Sequence, residues 1–314
     1  MSHYNLDPAL AAYVAESAMF ACTEQDMSAR RHAFAEACAY FTPERPAGLK
    51  LEDSEVNGLA IRIYSPARPA PEKGWPTVLY FHGGGWSMGS HTTHDWFAFG
   101  ICRRVNIAVV ALNYRLAPEH PFPAPLEDGL EVWKALRRGD LPQLNSECLA
   151  VAGDSAGGSL AAGLCIALRD AQQPQPDLQV LAYPVLSAKD HLASMRLHAD
   201  APMLTTAGLL ASLEGFLPTE SLKDDPCAMA LEADDLSGLA PAFIGVAEYD
   251  PLFDHGAMYA QRLKAAGNSV SLHVGEGLVH ASLRASGVSQ VEGFYDAMSK
   301  SFQAMVWRYS QYHP

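Results

Sequence analysis

Six short apolar stretches recur along the chain: TVLYF (77–81), NIAVVAL (106–112), LAVAG (149–153), LQVLAYPV (178–185), PAFIGVA (241–247) and VSLHV (270–274). Most are separated by segments with helical patterning, such as LEDGLEVWKALRR and HGAMYAQRLKAAG. Strands that are apolar throughout are buried on both faces, and parallel neighbours must be joined by a crossover. This alternation therefore predicts an α/β fold: a mostly parallel, eight-stranded sheet flanked by helices. The two remaining strands are LKLEDSEV and LAIRIYS. They flank Asn57-Gly58, the signature of a type I′ hairpin turn in which both central residues need positive φ. Residues 1–45 read as helical, with Leu10, Tyr13, Val14, Ser17 and Ala18 at helical spacing and a second segment from Ser28 to Phe41. The rhythm breaks once. About fifty residues separate LAYPV from PAFIGVA, far more than a crossover needs, and they include the apolar segment TTAGLLASLEGFLP. The expected organisation is N-terminal helices over 1–45 that contribute to a helical cap, a first core part over 46–187, a cap insertion over 188–235 and a second core part over 236–314.

The 314 residues are 49% apolar and 18% charged, enough for a large core and without a signature of disorder. A net charge of -13, with no run of Lys or Arg longer than two, argues against nucleic acid as a partner. The N-terminal stretch carries Asp7 and Glu16 where an export signal would be basic and then apolar, and Ala161–Leu168 is far shorter than a membrane span. Six scattered cysteines without a CxxC pair fit reduced thiols. Together these features predict a cytoplasmic protein without membrane insertion.

Within VAGDSAGGSLAAGL, Ser155 stands between glycines, after an apolar run and before a helix-patterned segment. A GxSxG match alone arises by chance in roughly one chain in ten of this length, and its glycines could serve only a turn. The strand, sharp turn, helix context is what a nucleophile elbow requires. A serine nucleophile needs a base, a carboxylate to orient that base, and amide donors for the oxyanion. In open α/β sheets reactive groups gather at the carboxyl ends of strands. His280, in GEGLVHAS after VSLHV, meets that condition, whereas His273 lies within the strand. Asp250 in AEYDPLFD follows PAFIGVA, and Pro251 holds it out of helical conformation. Glu248 is a rival, and Asp254 reads as the first-turn acid of a helix. FHGGGW follows TVLYF and either forms a flexible loop or offers the N–H groups of Gly83 and Gly84, with that of Ala156, to an oxyanion. The order Ser155, Asp250, His280 is the α/β-hydrolase order.

At this point the sequence resembles the hormone-sensitive-lipase-like esterases of the α/β-hydrolase fold. The resemblance rests on HGGGW (82–86), YRLAPEHPFPAPLED (114–128), GDSAGG (153–158), EYDPL (248–252) and His280, and spans most of the chain beyond residue 45. It implies a Ser155–His280–Asp250 triad, a hole formed by Gly83, Gly84 and Ala156, a cap made of the N-terminal helices and the insertion, and no cofactor. The chain departs from the family in following His280 with Ala281 and Ser282 rather than glycine and an aromatic residue. Arg115, Glu119 and the prolines of the 114–128 stretch read as structural.

Met19, Phe20, Met203, Leu204, Leu209 and Phe216 are apolar cap positions, and Trp86, Met203, Leu204, Leu209 and Phe216 are the candidate lining of a substrate pocket. A small-molecule ester with a short-to-medium acyl chain fits them. Amide or peptide hydrolysis uses the same triad, and a non-catalytic receptor on the same fold is a further alternative. A metal site at His91, His94 and Asp95 is disfavoured, since the spacing is unspecific and HExxH is absent. VSLHV reads as an edge strand through which a homodimer could form.

Overall fold

A computed structural model describes residues 4–23 and 26–312; the remaining positions of the 1–45 and 236–314 segments lie outside the described residues. Strands β1 (Leu49–Val56), β2 (Leu59–Pro66), β3 (Trp75–Phe81), β4 (Ala108–Leu112), β5 (Leu144–Asp154), β6 (Leu178–Ala182), β7 (Ala242–Tyr249) and β8 (Val270–Val279) form one sheet, ordered β1-β2-β4-β3-β5-β6-β7-β8. The pairs β1/β2 and β2/β4 are antiparallel and the rest parallel. The Asn57-Gly58 turn closes the β1/β2 hairpin with φ of 51° and 83°, as its dipeptide demands.

Successive residues of the central strands point to opposite faces, and both faces are covered. Leu79, Phe81, Val110, Val151, Leu181 and Ile244 pack with one set of helices, α4 (Ala124–Arg138), α5 (Ala156–Asp170) and α8 (Phe253–Ala265). Val78, Tyr80, Val109, Ala150, Val180 and Phe243 pack with α3 (Asp95–Cys102) and α9 (Ser289–Tyr312) on the other. This two-sided burial explains why the strands read as apolar runs instead of alternating ones. Two strands differ from expectation. β6 stops at Ala182, so Tyr183–Val185 leave the sheet. β8 continues past VSLHV to Val279 and delivers His280 at its end instead of in a long loop.

The N-terminal helices α1 (Pro8–Ser17) and α2 (Met27–Phe41) are capped by the Asp7 and Asp26 side chains. Arg31 of α2 donates to the Ser87 carbonyl at 2.8 Å and pairs with Glu119 at 2.6 Å, fixing the helix to loops at the carboxyl end of the sheet. Within the insertion are α6 (Ala193–Leu197) and α7 (Thr206–Phe216). Its entry is anchored by the buried His255 of α8, whose Nδ1 accepts from the Leu186 and Ser187 N–H groups at 3.0 and 3.2 Å. The Arg115–Asp128 ion pair, at 2.8 Å, ties the 114–128 stretch to α4. β8 is a sheet edge, with Leu272 and Val274 exposed. All six cysteines are unpaired.

Two consequences are measurable. Burial lowers the pKa of His82 and of His255 from 6.5 to about 4. The unfolded chain takes up these protons as pH falls through 6.5, while the folded chain resists until about 4. Stability is therefore complete above pH 6.5 and drains below it, by about 2 kcal/mol per histidine on reaching pH 5. Thermal unfolding midpoints should fall between pH 7 and 5, and His255→Gln, which keeps an acceptor without the titration, should flatten that fall; an unchanged midpoint contradicts the assignment. Separately, a Cβ on Gly157 would lie 2.0 Å from the Phe81 carbonyl oxygen, whereas at exposed Gly293 in α9 it would meet nothing within 4 Å. Denaturant titration should find Gly157→Ala destabilised by about 1–3 kcal/mol or more and Gly293→Ala stabilised by up to about 1 kcal/mol.

Candidate active site

The turn from β5 into α5 is tight enough to force a side-chain-bearing residue into the left-handed half of backbone space. Ser155 has φ 53° and ψ -121°. Such a conformation costs about 1–3 kcal/mol and persists only where its surroundings enforce it. Here they do: the Ser155 N–H donates to the Ala182 carbonyl at 2.9 Å, and its own carbonyl accepts from Gly158 and Val185. The small residues Gly153, Gly157 and Gly158 let α5 close onto β3 and β5. The result is a hydroxyl held at the tip of the bend, facing a cavity.

The end of β8 brings His280 to that hydroxyl. His280 Nε2 lies 2.9 Å from Ser155 Oγ, and Nδ1 lies 2.7 Å from Asp250 Oδ2. Asp250 follows β7 and is fully buried; its other oxygen accepts from the Leu252 N–H at 2.9 Å. A carboxylate so placed accepts from Nδ1–H and leaves Nε2 to accept from the serine. The rival carboxylates are occupied elsewhere. Glu248 accepts from the Gly277 N–H at 2.7 Å, and Asp254 from the Ser194 N–H at 2.8 Å, which ties α8 to α6. His273 sits in β8 beside Phe243 and Phe294, away from the serine.

The glycine loop after β3 corrects one expectation. The Gly83 N–H donates to Asp154 Oδ1 at 2.8 Å, so it is turned into the protein and is not offered to a substrate. Gly84 and Gly85 line the cavity beside Ser155. Ala156 opens α5, so its N–H belongs to the first helical turn, whose donors have no intrahelical partner. The buried Asp154 carboxylate also accepts from the Tyr80 hydroxyl at 2.6 Å. Burial pushes the Asp154 carboxyl up from the ordinary range, opposed by these two hydrogen bonds. Asp154 thus pins the glycine loop to the residue preceding the serine. The sequence contained this signal as the acidic residue inside GDSAG, but its partners on β3 were not apparent.

A cavity of about 150 Å³ opens over Ser155 and His280. Of the candidate pocket residues, Trp86, Met203, Leu204 and Leu209 line it. Phe216 does not. Its ring lies behind Trp86, stacked at 4.2 Å and 1°, and the indole is further held by its N–H to Ser159 Oγ at 3.0 Å. Phe216 therefore supports the wall without being part of it. Of the other cap positions, Met19 is exposed, and Phe20 packs on Tyr40 and Phe41 beside a neighbouring cavity. Phe34 of α2, Trp96 of α3 and Arg284 also line the cavity, and no sequence pattern linked them to the serine. The histidine-rich 91–95 stretch does not converge: Asp95 is engaged by Arg62 and Tyr64, while His94 turns toward Asp154 at 3.8 Å. Among the described residues no three His, Cys, Asp or Glu side chains are grouped to hold a metal ion, and no helix is long and apolar enough to cross a membrane.

Comparison with known proteins agrees with this architecture. Residues 78–284 match the family described as alpha/beta hydrolase fold, and residues 15–118 match the carboxylesterase family. The chain is 41% identical over 250 residues to the carboxylesterase NlhH of Mycobacterium tuberculosis, covering 76% of this chain and 77% of that protein. It is 33% identical to the ethyl acetate hydrolase of Pseudomonas putida, covering 77% of each. Among solved structures, an ester hydrolase from the metagenome of Lake Arreo superposes with a TM-score of 0.86 at 29% identity, covering 98% of this chain and all (100%) of that one. An esterase from the bacterial hormone-sensitive lipase family superposes with the same TM-score of 0.86 at 25% identity, over 96% and 99%. With a sheet of this order and a serine turn of this geometry, the chain belongs to the hormone-sensitive-lipase-like family of the α/β-hydrolase fold, a family of carboxylic ester hydrolases.

Proposed function

We propose that the protein hydrolyses short-to-medium-chain carboxylic esters through an acyl-enzyme formed on Ser155. The observation that carries this reading is the unbroken hydrogen-bonded series Ser155–His280–Asp250 at the floor of a small, largely apolar cavity. Ser155 Oγ attacks the ester carbonyl as His280 Nε2 takes its proton. Asp250 holds the ring in the tautomer that can accept, and stabilises the cation that forms. The N–H groups of Gly84, Gly85 and Ala156 receive the oxyanion. Collapse expels the alcohol, protonated by His280, and leaves the acyl group on Ser155. Water then attacks the acyl carbon with His280 again as base, releasing the acid and restoring the serine. Removing one oxyanion donor typically costs 10²- to 10³-fold in turnover, so the pinning of the loop by Asp154 bears directly on rate.

Trp86, Leu204 and Leu209 offer apolar surface to a hydrocarbon chain, and the cavity volume of about 150 Å³ favours short ones. The name of the Pseudomonas putida relative, an ethyl acetate hydrolase, points the same way.

A panel of 4-nitrophenyl esters from acetate to laurate tests the proposal. Wild type should favour the shorter members, and Ser155→Ala and Asp250→Asn should each lower kcat by about 10⁴-fold or more. Because the three side chains act as a unit, Ser155→Ala/His280→Ala should lose little beyond Ser155→Ala alone. A fluorophosphonate should phosphonylate Ser155 with loss of fluoride, adding the phosphonyl mass to the peptide holding Ser155 in wild type only. Equal rates for wild type and Ser155→Ala would end the assignment. Narrowing the cavity with Leu209→Trp should move the chain-length optimum toward acetate.

A further inference from the structure

Arg284 occupies a place in this cavity that hydrolysis of a neutral ester does not require. It ends the short 3₁₀ turn Ser282–Arg284 that follows the base. That turn is fixed from three sides: the Tyr13 hydroxyl donates to the Ala281 carbonyl at 2.9 Å, the Tyr295 hydroxyl to the Leu283 carbonyl at 3.1 Å, and the Val279 N–H to Ser282 Oγ at 3.0 Å. Its side chain borders both the cavity over Ser155 and a second cavity of about 230 Å³ beneath α2, which share Phe34, Met88 and Met203 as walls. The immediate partners of the guanidinium are neutral. Nη1 lies 3.7 Å from Cys38 Sγ, and the group sits 5.7 Å over the Phe34 ring.

Among the described residues no carboxylate oxygen lies within 4.0 Å of it. Other sheltered arginines are paired: Arg62 with Asp53 and Asp95, and Arg104 with Glu292 and Asp296. Cys38 does not act as the counter-ion, because burial pushes its thiol up and keeps it protonated. Asp154, whose carboxylate feels the charge of Arg284, accepts from Tyr80 and Gly83 on Oδ1 and stands beyond ion-pair distance of the guanidinium. A guanidinium drawn out of water without an anion is costly, and its planar fork matches a carboxylate in two parallel hydrogen bonds.

We infer that Arg284 is a specificity-determining residue that receives a carboxylate carried by the ester, so that the preferred substrates are esters bearing a free acid group beside an apolar portion. The inference rests on the esterase reading of the same cavity. Trp86, Val185, Leu204 and Leu209 serve the hydrocarbon part, and Arg284 is the cation available to the acid in a protein of net charge -13.

Matched ester pairs separate the two readings. With the acid on the acyl side, mono-4-nitrophenyl glutarate is compared with 4-nitrophenyl valerate; with the acid on the alcohol side, 3-acetoxybenzoate is compared with phenyl acetate. In at least one pair, wild type should favour the anionic ester in kcat/KM by about ten- to a hundredfold, mostly through KM and less so at high salt. Arg284→Met should erase that ratio, and Arg284→Lys should restore part of it, a graded response that loss of packing alone would not give. If Arg284→Met fails to fold, wild type still decides: glutarate should inhibit valerate ester hydrolysis competitively, and glutaramide should not. Hydrolysis of neutral esters with no anionic preference in either pair, or a preference that survives Arg284→Met, overturns the inference and leaves the esterase standing. Failure to hydrolyse any ester removes both.

Discussion

The buried carboxylate of Asp154 is the interaction on which the arrangement of the site depends. It stands immediately before the strained serine, and it accepts hydrogen bonds from the Gly83 N–H and the Tyr80 hydroxyl. Both partners belong to β3 or the loop that leaves it, so one side chain couples the Ser155 turn to the glycine loop that lines the cavity. Catalysis of this type depends on donors fixed in advance at the position where charge will develop. A buried carboxylate is costly unless it is hydrogen-bonded. Here the desolvation is offset by hydrogen bonds whose geometry the site requires, so fold stability and site geometry depend on the same bonds.

Around this clasp the cover is assembled from parts distant in sequence. Arg31 of α2 reaches the Ser87 carbonyl and Glu119, α7 sets Phe216 against Trp86, and His255 holds the entry of the insertion through two backbone N–H groups. Each contact is polar or aromatic and directional, whereas sheet and helices meet over broad apolar surfaces. The cover is therefore positioned by a few specific bonds over a core that owes its stability to buried area.

Much of this was legible in the sequence because it is governed by local rules. Fully apolar strands, the Asn57-Gly58 turn and the small residues around Ser155 each follow from backbone geometry. Asp250 and His280 followed from the rule that reactive groups gather at strand ends. What escaped depended on the directions of particular bonds. Gly83 and Gly85 are indistinguishable as letters, yet the first N–H turns inward to Asp154 while the second residue faces the cavity. Phe216 is apolar and within the insertion, but its stacking on Trp86 places it one layer behind the wall. Phe34 and Arg284 reach the cavity through the docking of α2 and the turn after β8, and no periodicity encodes such encounters.

His280 directly follows a strand with a sheet neighbour on one side only. Edge elements open more readily than central ones, and the Tyr13 hydroxyl of the first helix is one of the bonds that hold the backbone beyond His280. The N-terminal segment thus braces the backbone beside His280 as well as covering part of the cavity over Ser155. Loss of α1 would remove one of the three hydrogen bonds that fix the turn after His280, at a point far from the serine in sequence.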